Sequence, residues 1–136
     1  VFSPWGALRE LTHVTLHFIL MPDGAPGRTD GQARIWLDKR LQQAERRCAL
    51  THELVHLEHG HTRCQAPRIE RLVREETARR LIRIEDLCEA YRWTQHPAEL
   101  AEELWVTADV VQDRLTALTE DEQTRLAASA RASRMP

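Results

Sequence analysis

Three observations predict an α+β fold. Residues 12–20 alternate apolar and polar side chains, the pattern of a strand, and residues 33–38 read as a second strand. Residues 39–59 run without Gly or Pro and stop at Gly60, the pattern of one long helix. From Pro67 to residue 118 the chain reads as successive helices. The expected architecture is a small antiparallel sheet packed on a central helix, with a helical C-terminal part.

Pro4 and Gly6 mark residues 1–10 as a short lead-in with a helical turn near Leu8. In the first strand Val14, Leu16, Phe18 and Leu20 face one way and His13, Thr15, His17 and Ile19 the other. His13 and His17 are four apart, but on a strand that spacing is about 13 Å, too far for one metal ion. They are expected on a solvent or cleft side. Pro22 to Gly31 reads as an exposed, turn-rich connection. The second strand, 33–38, leads directly into the long helix, so it is expected to border any cleft there and to pair antiparallel with the first. An edge strand in that place could hold an extended peptide by main-chain hydrogen bonds.

On the long helix Leu41, Ala44, Cys48, His52, Val55 and His56 share one side, and Leu50, Leu54 and Leu57 the opposite one. A helix apolar on two sides is wedged between two layers. Its histidines therefore lie inside, where an imidazole needs a partner. His52-Glu53-Leu54-Val55-His56 matches the spacing His-Glu-x-x-His. Residues four apart on a helix stack, so both imidazoles can reach one ion at about 2 Å. Glu53 is rotated to the side, where it can take a proton from a water rather than ligate. The ion this pattern suits is Zn2+.

A catalytic zinc usually takes three protein ligands. The next helical run, 68–84, offers Glu70, Glu75 and Glu76. Its apolar stripe reads as Ile69, Leu72, Val73, Thr77 and Ile84. Glu76 falls within the stripe, Glu70 at its edge, and Glu75 points away. Glu76 is the expected third ligand and Glu70 the second choice; an ion pair from Glu76 to Arg80 is the structural alternative. His59, His61 and Cys64 follow the helix. A favourable helix-end dipole explains the histidines, and one cysteine falls short of a structural zinc set.

The composition fits one domain, residues 1–136: 42% hydrophobic, 29% charged, net charge −2. That charge predicts neither nucleic-acid nor anionic-membrane binding. The longest apolar run, Val14 to Met21, is too short to span a bilayer, and no signal peptide is visible. Cys48, Cys64 and Cys88 are odd in number and widely spaced, as in a cytoplasmic protein with free thiols. A further short helix is expected over 84–93. Residues 97–104 and 108–118 have helix-turn-helix spacing, but Glu99, Glu102, Glu103, Asp109 and Asp113 would repel a duplex, so the pair reads as a packing or protein-docking unit. Residues 127–136 read as a fraying tail.

The order of these parts resembles the ImmA/IrrE family of small metallopeptidases, closest to its short actinobacterial and actinophage members. The likeness covers roughly residues 12–118. It rests on the strand ending near Trp36-Leu37, the segment Ala44 to Leu57, and the run from Glu70 through Ala78-Arg79-Arg80-Leu81-Ile82. The resemblance implies a zincin-like fold and a gluzincin-like zinc endopeptidase that cleaves a helix-turn-helix repressor of phage, mobile-element or stress genes. His52 and His56 match the family's metal ligands and Glu53 its catalytic glutamate. At the family's third-ligand position this chain has Val73, with Glu70 and Glu76 one turn to either side. Tyr91, His96 or one of several arginines could supply the donor to the oxyanion. The competing expectation is a metal-stabilised module that binds a transcriptional regulator without cutting it.

Overall fold

The structure, a computed structural model, describes residues 2–62 and 65–132. Helix α1 (Pro4–Glu10) starts at Ser3, whose hydroxyl accepts the Gly6 N–H at 3.2 Å. Three strands follow: β1 (Thr15–Ile19), β2 (Gly27–Thr29) and β3 (Arg34–Asp38), in the sheet order β1-β3-β2. β1 runs parallel to β3 with Leu16 opposite Ile35, and β2 runs antiparallel with Arg28 opposite Trp36.

This corrects the expected antiparallel pairing of residues 12–20 with 33–38. The connection between them contains a strand of its own, and the hairpin is β2–β3. The turn is built by Asp30, whose carboxylate accepts the N–H groups of Gln32, Ala33 and Arg34 at 2.9, 2.9 and 3.0 Å. Gly31 there has φ +74°, a left-handed conformation that glycine adopts without strain. With one side of β3 taken by β2, β1 occupies the other, in the parallel sense. β3 is therefore the central strand rather than an edge.

Helix α2 (Gln43–Glu58) begins where the Glu45 carboxylate accepts the Gln42 N–H at 2.9 Å. It ends at Gly60, φ +69°, beyond which the His61 N–H donates to the His56 carbonyl at 3.0 Å. One face of α2 carries Ala49, Leu50 and Leu54 onto Ile35 and Leu37 of the sheet. The other carries Cys48 into a second cluster with Ala78, Ile82, Leu87, Leu100 and Val111. That second cluster is built by α3 (Pro67–Leu81), α4 (Ile84–Tyr91), α5 (Pro97–Leu104), α6 (Ala108–Thr116) and α7 (Glu120–Ala132). The two-sided helix thus lies between a sheet layer and a helical layer. Of the alternating apolar side chains of residues 14–20, Val14 and Leu16 reach the core, whereas Phe18 and Leu20 are exposed.

Residues 127–132 are helical, not a frayed tail. The Thr119 hydroxyl accepts the Glu122 N–H and the Glu122 carboxylate accepts the Thr119 N–H, both at 3.1 Å, and Leu126 is buried. Arg114, itself buried, ties α7 to α6: its guanidinium donates to both Glu122 carboxylate oxygens and to the Ile82 carbonyl. Residues 133–136 and Cys64 lie outside the described residues. Among the described residues no helix is long and apolar enough to cross a membrane.

Candidate metal centre

The His52 and His56 rings stand 4.8 Å apart between centroids on successive turns of α2. Both direct Nε2 toward one carboxylate. Glu70 Oε2 lies 3.7 Å from His52 Nε2 and 3.2 Å from His56 Nε2. Donors about 2.0–2.1 Å from a tetrahedral ion stand roughly 3.3–3.4 Å apart, so these separations suit one shared ion. Among the described residues His52, His56 and Glu70 form a group able to hold a metal, with all ligand atoms within 4.8 Å of one another.

Glu70 and not Glu76 converges on the histidines. The buried ridge of α3 is Val73, Thr77, Ala78 and Leu81, while Leu72 is 51% exposed. Glu70, one turn before Val73 and two before Thr77, continues that ridge toward α2. The expected stripe of Ile69, Leu72, Val73, Thr77 and Ile84 shares Val73 and Thr77 with this ridge, but it includes the large side chains Ile69 and Leu72 on one flank and omits Ala78 and Leu81 on the other. It therefore rotated the helix too far. Glu76 instead accepts from Arg80 at 2.7 Å and meets His59 at 3.2 Å, and Arg80 also bonds Glu58. That is the ion-pair alternative, extended into a tie between α2 and α3.

The cleft takes in residues that the sequence pattern does not assign to it, among them His61, which reads as a helix-end histidine. His61 is folded back by the Gly60 turn, and its Nδ1 lies 2.9 Å from His56 Nδ1, one of the two atoms carrying the shared proton. The arrangement leaves His56 Nε2 pointing at Glu70. Strand β2 forms the wall: Gly27, Arg28 and Thr29 line a cavity of about 560 Å³ with His52, Glu53, His56, His61 and Glu70. A second hollow of about 390 Å³ shares Gly27, His52 and Glu53 and continues to Arg74 and Asp113. The cleft therefore extends to both sides of the His52-Glu53 pair. Gly27 allows this closeness, since a Cβ there would lie 3.0 Å from the Trp36 carbonyl and 3.2 Å from Glu53 Cγ.

The Asp38 N–H donates to the Pro26 carbonyl and the Asp30 N–H to the Arg34 carbonyl. In an antiparallel ladder this assigns residues 26, 28 and 30 to the β3 side, so the main-chain groups of Gly27 and Thr29 face the open edge. The strand bordering the cleft is β2, not the 33–38 strand expected there.

Burial lowers the pKa of His52 to about 4, with neighbouring His56 acting in the same direction, and lowers that of His56 as well. Both rings are thus neutral at pH 7, the form that binds metal. Glu53 is buried and raised to about 8, mainly by desolvation and then by the Glu70 charge, while Arg28 opposes the rise. Arg28 is also paired with Asp23. Of the other expected participants, Tyr91 packs against the helical cluster and His96 caps α5 by accepting the Ala98 N–H; neither lines the cleft. His13 and His17 are exposed, and His17 stacks on Trp36 at 6.1 Å. Cys48 is buried in the helical cluster.

No family model, curated protein or solved structure compared with this chain matches it.

Proposed function

We propose that this chain is a zinc-dependent endopeptidase in which His52, His56 and Glu70 hold the ion and Glu53 is the general base. The observation that carries the reading is the convergence of two Nε2 atoms on one carboxylate oxygen, at 3.7 and 3.2 Å, beside a buried glutamate. Two imidazoles and one carboxylate are a donor set suited to zinc with a coordination position left open. A zinc ion bound there supplies Lewis acidity, acidifying a water and polarising a carbonyl.

The rest of the chemistry belongs to the chain. Glu53 sits next to His52 on the helix but lacks any hydrogen bond or ion pair among the described residues, so its carboxylate is free to accept a proton from water. Its ionised carboxylate, the form that accepts a proton, is favoured by a cation bound beside it, and the same group can return the proton to a departing amine. The Gly27 and Thr29 main chain offers an extended polypeptide a partial β-ladder, and the cleft on both sides of Glu53 accommodates chain before and after the scissile bond. Arg28, on the same wall, and Arg74, in the adjoining hollow, are cationic donors available to a developing oxyanion. These features favour a polypeptide over a small molecule.

The resemblance to ImmA/IrrE peptidases supports a transcriptional repressor of the helix-turn-helix type as substrate and a zincin-like fold as framework. Glu70 would then replace the ligand the family carries at the position of Val73, from one turn earlier on the same ridge. The test is proteolysis of candidate repressors by metal-loaded protein, with wild type beside Glu53→Gln. The variant is expected to keep the metal and lose cleavage by at least about a hundredfold. Cleavage at wild-type rate in that variant overturns the assignment of the base. Metal-loaded wild type that binds repressor without producing fragments favours the non-proteolytic module.

A further inference from the structure

Three of the four tryptophans of the chain line one cavity, and it is not the metal cleft. Trp5 of α1, Trp93 after α4 and Trp105 after α5 border a hollow of about 690 Å³, together with Asp86, Glu89 and Glu103. Arg47, on its floor, leaves α2 about 180° around the helix from His56. The hollow therefore opens on the opposite side of α2 from the candidate metal centre.

Trp93 and Trp105 are 79% and 65% exposed, the largest exposures among the big apolar side chains. Neither indole ring stacks on another aromatic ring or under a cation among the described residues. Trp105 also has φ +57°, a left-handed conformation that costs a bulky side chain energy and that glycine normally fills at the end of a helix. Folding alone is better served by glycine there, so the indole is retained at a cost.

The charge around the indoles is one-sided. Arg47 is the one basic residue of the lining, and its guanidinium is spent on the carbonyls of Phe2, Leu104 and Trp105. Glu89 meets Arg92 only at 3.7 Å across an exposed surface, a weak pairing. Asp86 and Glu103 have no ionic partner among the described residues. Indole faces attract cations, and carboxylates complete the match. A planar guanidinium can stack on an indole while its edge donates to a carboxylate, which an ammonium cannot do.

We propose that this hollow is a docking site for an arginine-bearing segment of a partner protein, with arginine guanidinium groups seated against Trp93 and Trp105 and paired with Asp86, Glu89 and Glu103. The site works independently of the metal and of Glu53.

The experiment uses the whole chain, chelated and zinc-loaded in parallel. The probe is a capped decapeptide with three arginines spaced by alanine and leucine, beside the same peptide with glutamine in their place. Intrinsic fluorescence and calorimetry both report binding, since three of the four emitting indoles line the site. The arginine peptide is expected to bind at least about tenfold tighter than the glutamine one, equally with and without zinc. Trp93→Ala and Trp105→Gly are each expected to weaken it at least about threefold. Trp105→Gly relieves the left-handed strain, so it should raise the melting temperature while lowering affinity, which separates binding from folding. The proposal is overturned by equal binding of the two peptides, by no binding of either, or by unchanged affinity in both tryptophan variants.

Discussion

Replacing Glu53 by glutamine tests whether the base is held in a destabilised state. The carboxyl titrates near 8 in the folded chain against an ordinary 4.5, because burial beside the Glu70 charge disfavours ionisation. A group whose pKa is raised by folding contributes its full stability below 4.5 and loses it as pH rises to about 8. Over that window the Glu53 carboxyl should cost the metal-free wild type, relative to Glu53→Gln, about 1.4 kcal/mol of stability per pH unit, roughly 3 kcal/mol by pH 7 and about 5 kcal/mol above pH 8, while His52 and His56, lowered by burial, act in the opposite direction in both proteins and cancel in the comparison. Glu53→Gln is neutral throughout and should lack this slope. Urea unfolding of chelated protein at pH 5, 6, 7 and 8 should show the two curves diverging as pH rises, with the variant the more stable. The same carboxyl is protonated in about nine molecules of ten at pH 7, whereas His52, near 4, is already neutral. Zinc uptake at pH 7 should therefore release close to one proton more in wild type than in Glu53→Gln, read by calorimetry in buffers of different ionisation enthalpy. Parallel stability curves together with equal proton release would refute a buried, high-pKa Glu53.

Other residues make separable predictions. Glu70→Ala should weaken zinc binding by at least about tenfold to a hundredfold, while Glu76→Ala, which loses only its ties to Arg80 and His59, should stay within about twofold; competition with a chromogenic chelator ranks them. Gly31→Ala places a Cβ 2.5 Å from the His61 carbonyl oxygen on a left-handed backbone, so it should cost ~2 kcal/mol or more in urea unfolding and weaken metal binding through the displaced His61. Glu122 is lowered to about 2 by its hydrogen bonds with buried Arg114. Its stabilisation is present above its ordinary 4.5 and disappears as pH falls toward 2, so Glu122→Gln should cost about 2–3 kcal/mol at pH 7 and almost nothing at pH 2.

Much of the site was legible in residues 39–60. An i, i+4 histidine pair with a glutamate beside the first is a property of one helix, and the absence of Gly and Pro before Gly60 secures that helix. The two-sided apolar pattern of α2 likewise announced its central place, since each face had to be covered. The Thr119-Glu122 spacing was a readable signal for α7, outweighed by the Ala- and Ser-rich composition that follows.

What the tertiary structure decided is of a different kind. Whether Glu70 or Glu76 faces the histidines depends on how α3 is rotated about its axis. Small buried side chains such as Ala78, which barely register in a stripe of large ones, help to fix that angle. The wall of the cleft is a strand of three residues, Gly27 to Thr29, too short to display any period and formed only because β3 offers it a partner. His61 reaches His56, and three distant tryptophans share one hollow, because separate elements meet there. Periodicity along a chain specifies which side chains share an element, whereas the rotation and neighbours of each element follow from packing all of them at once.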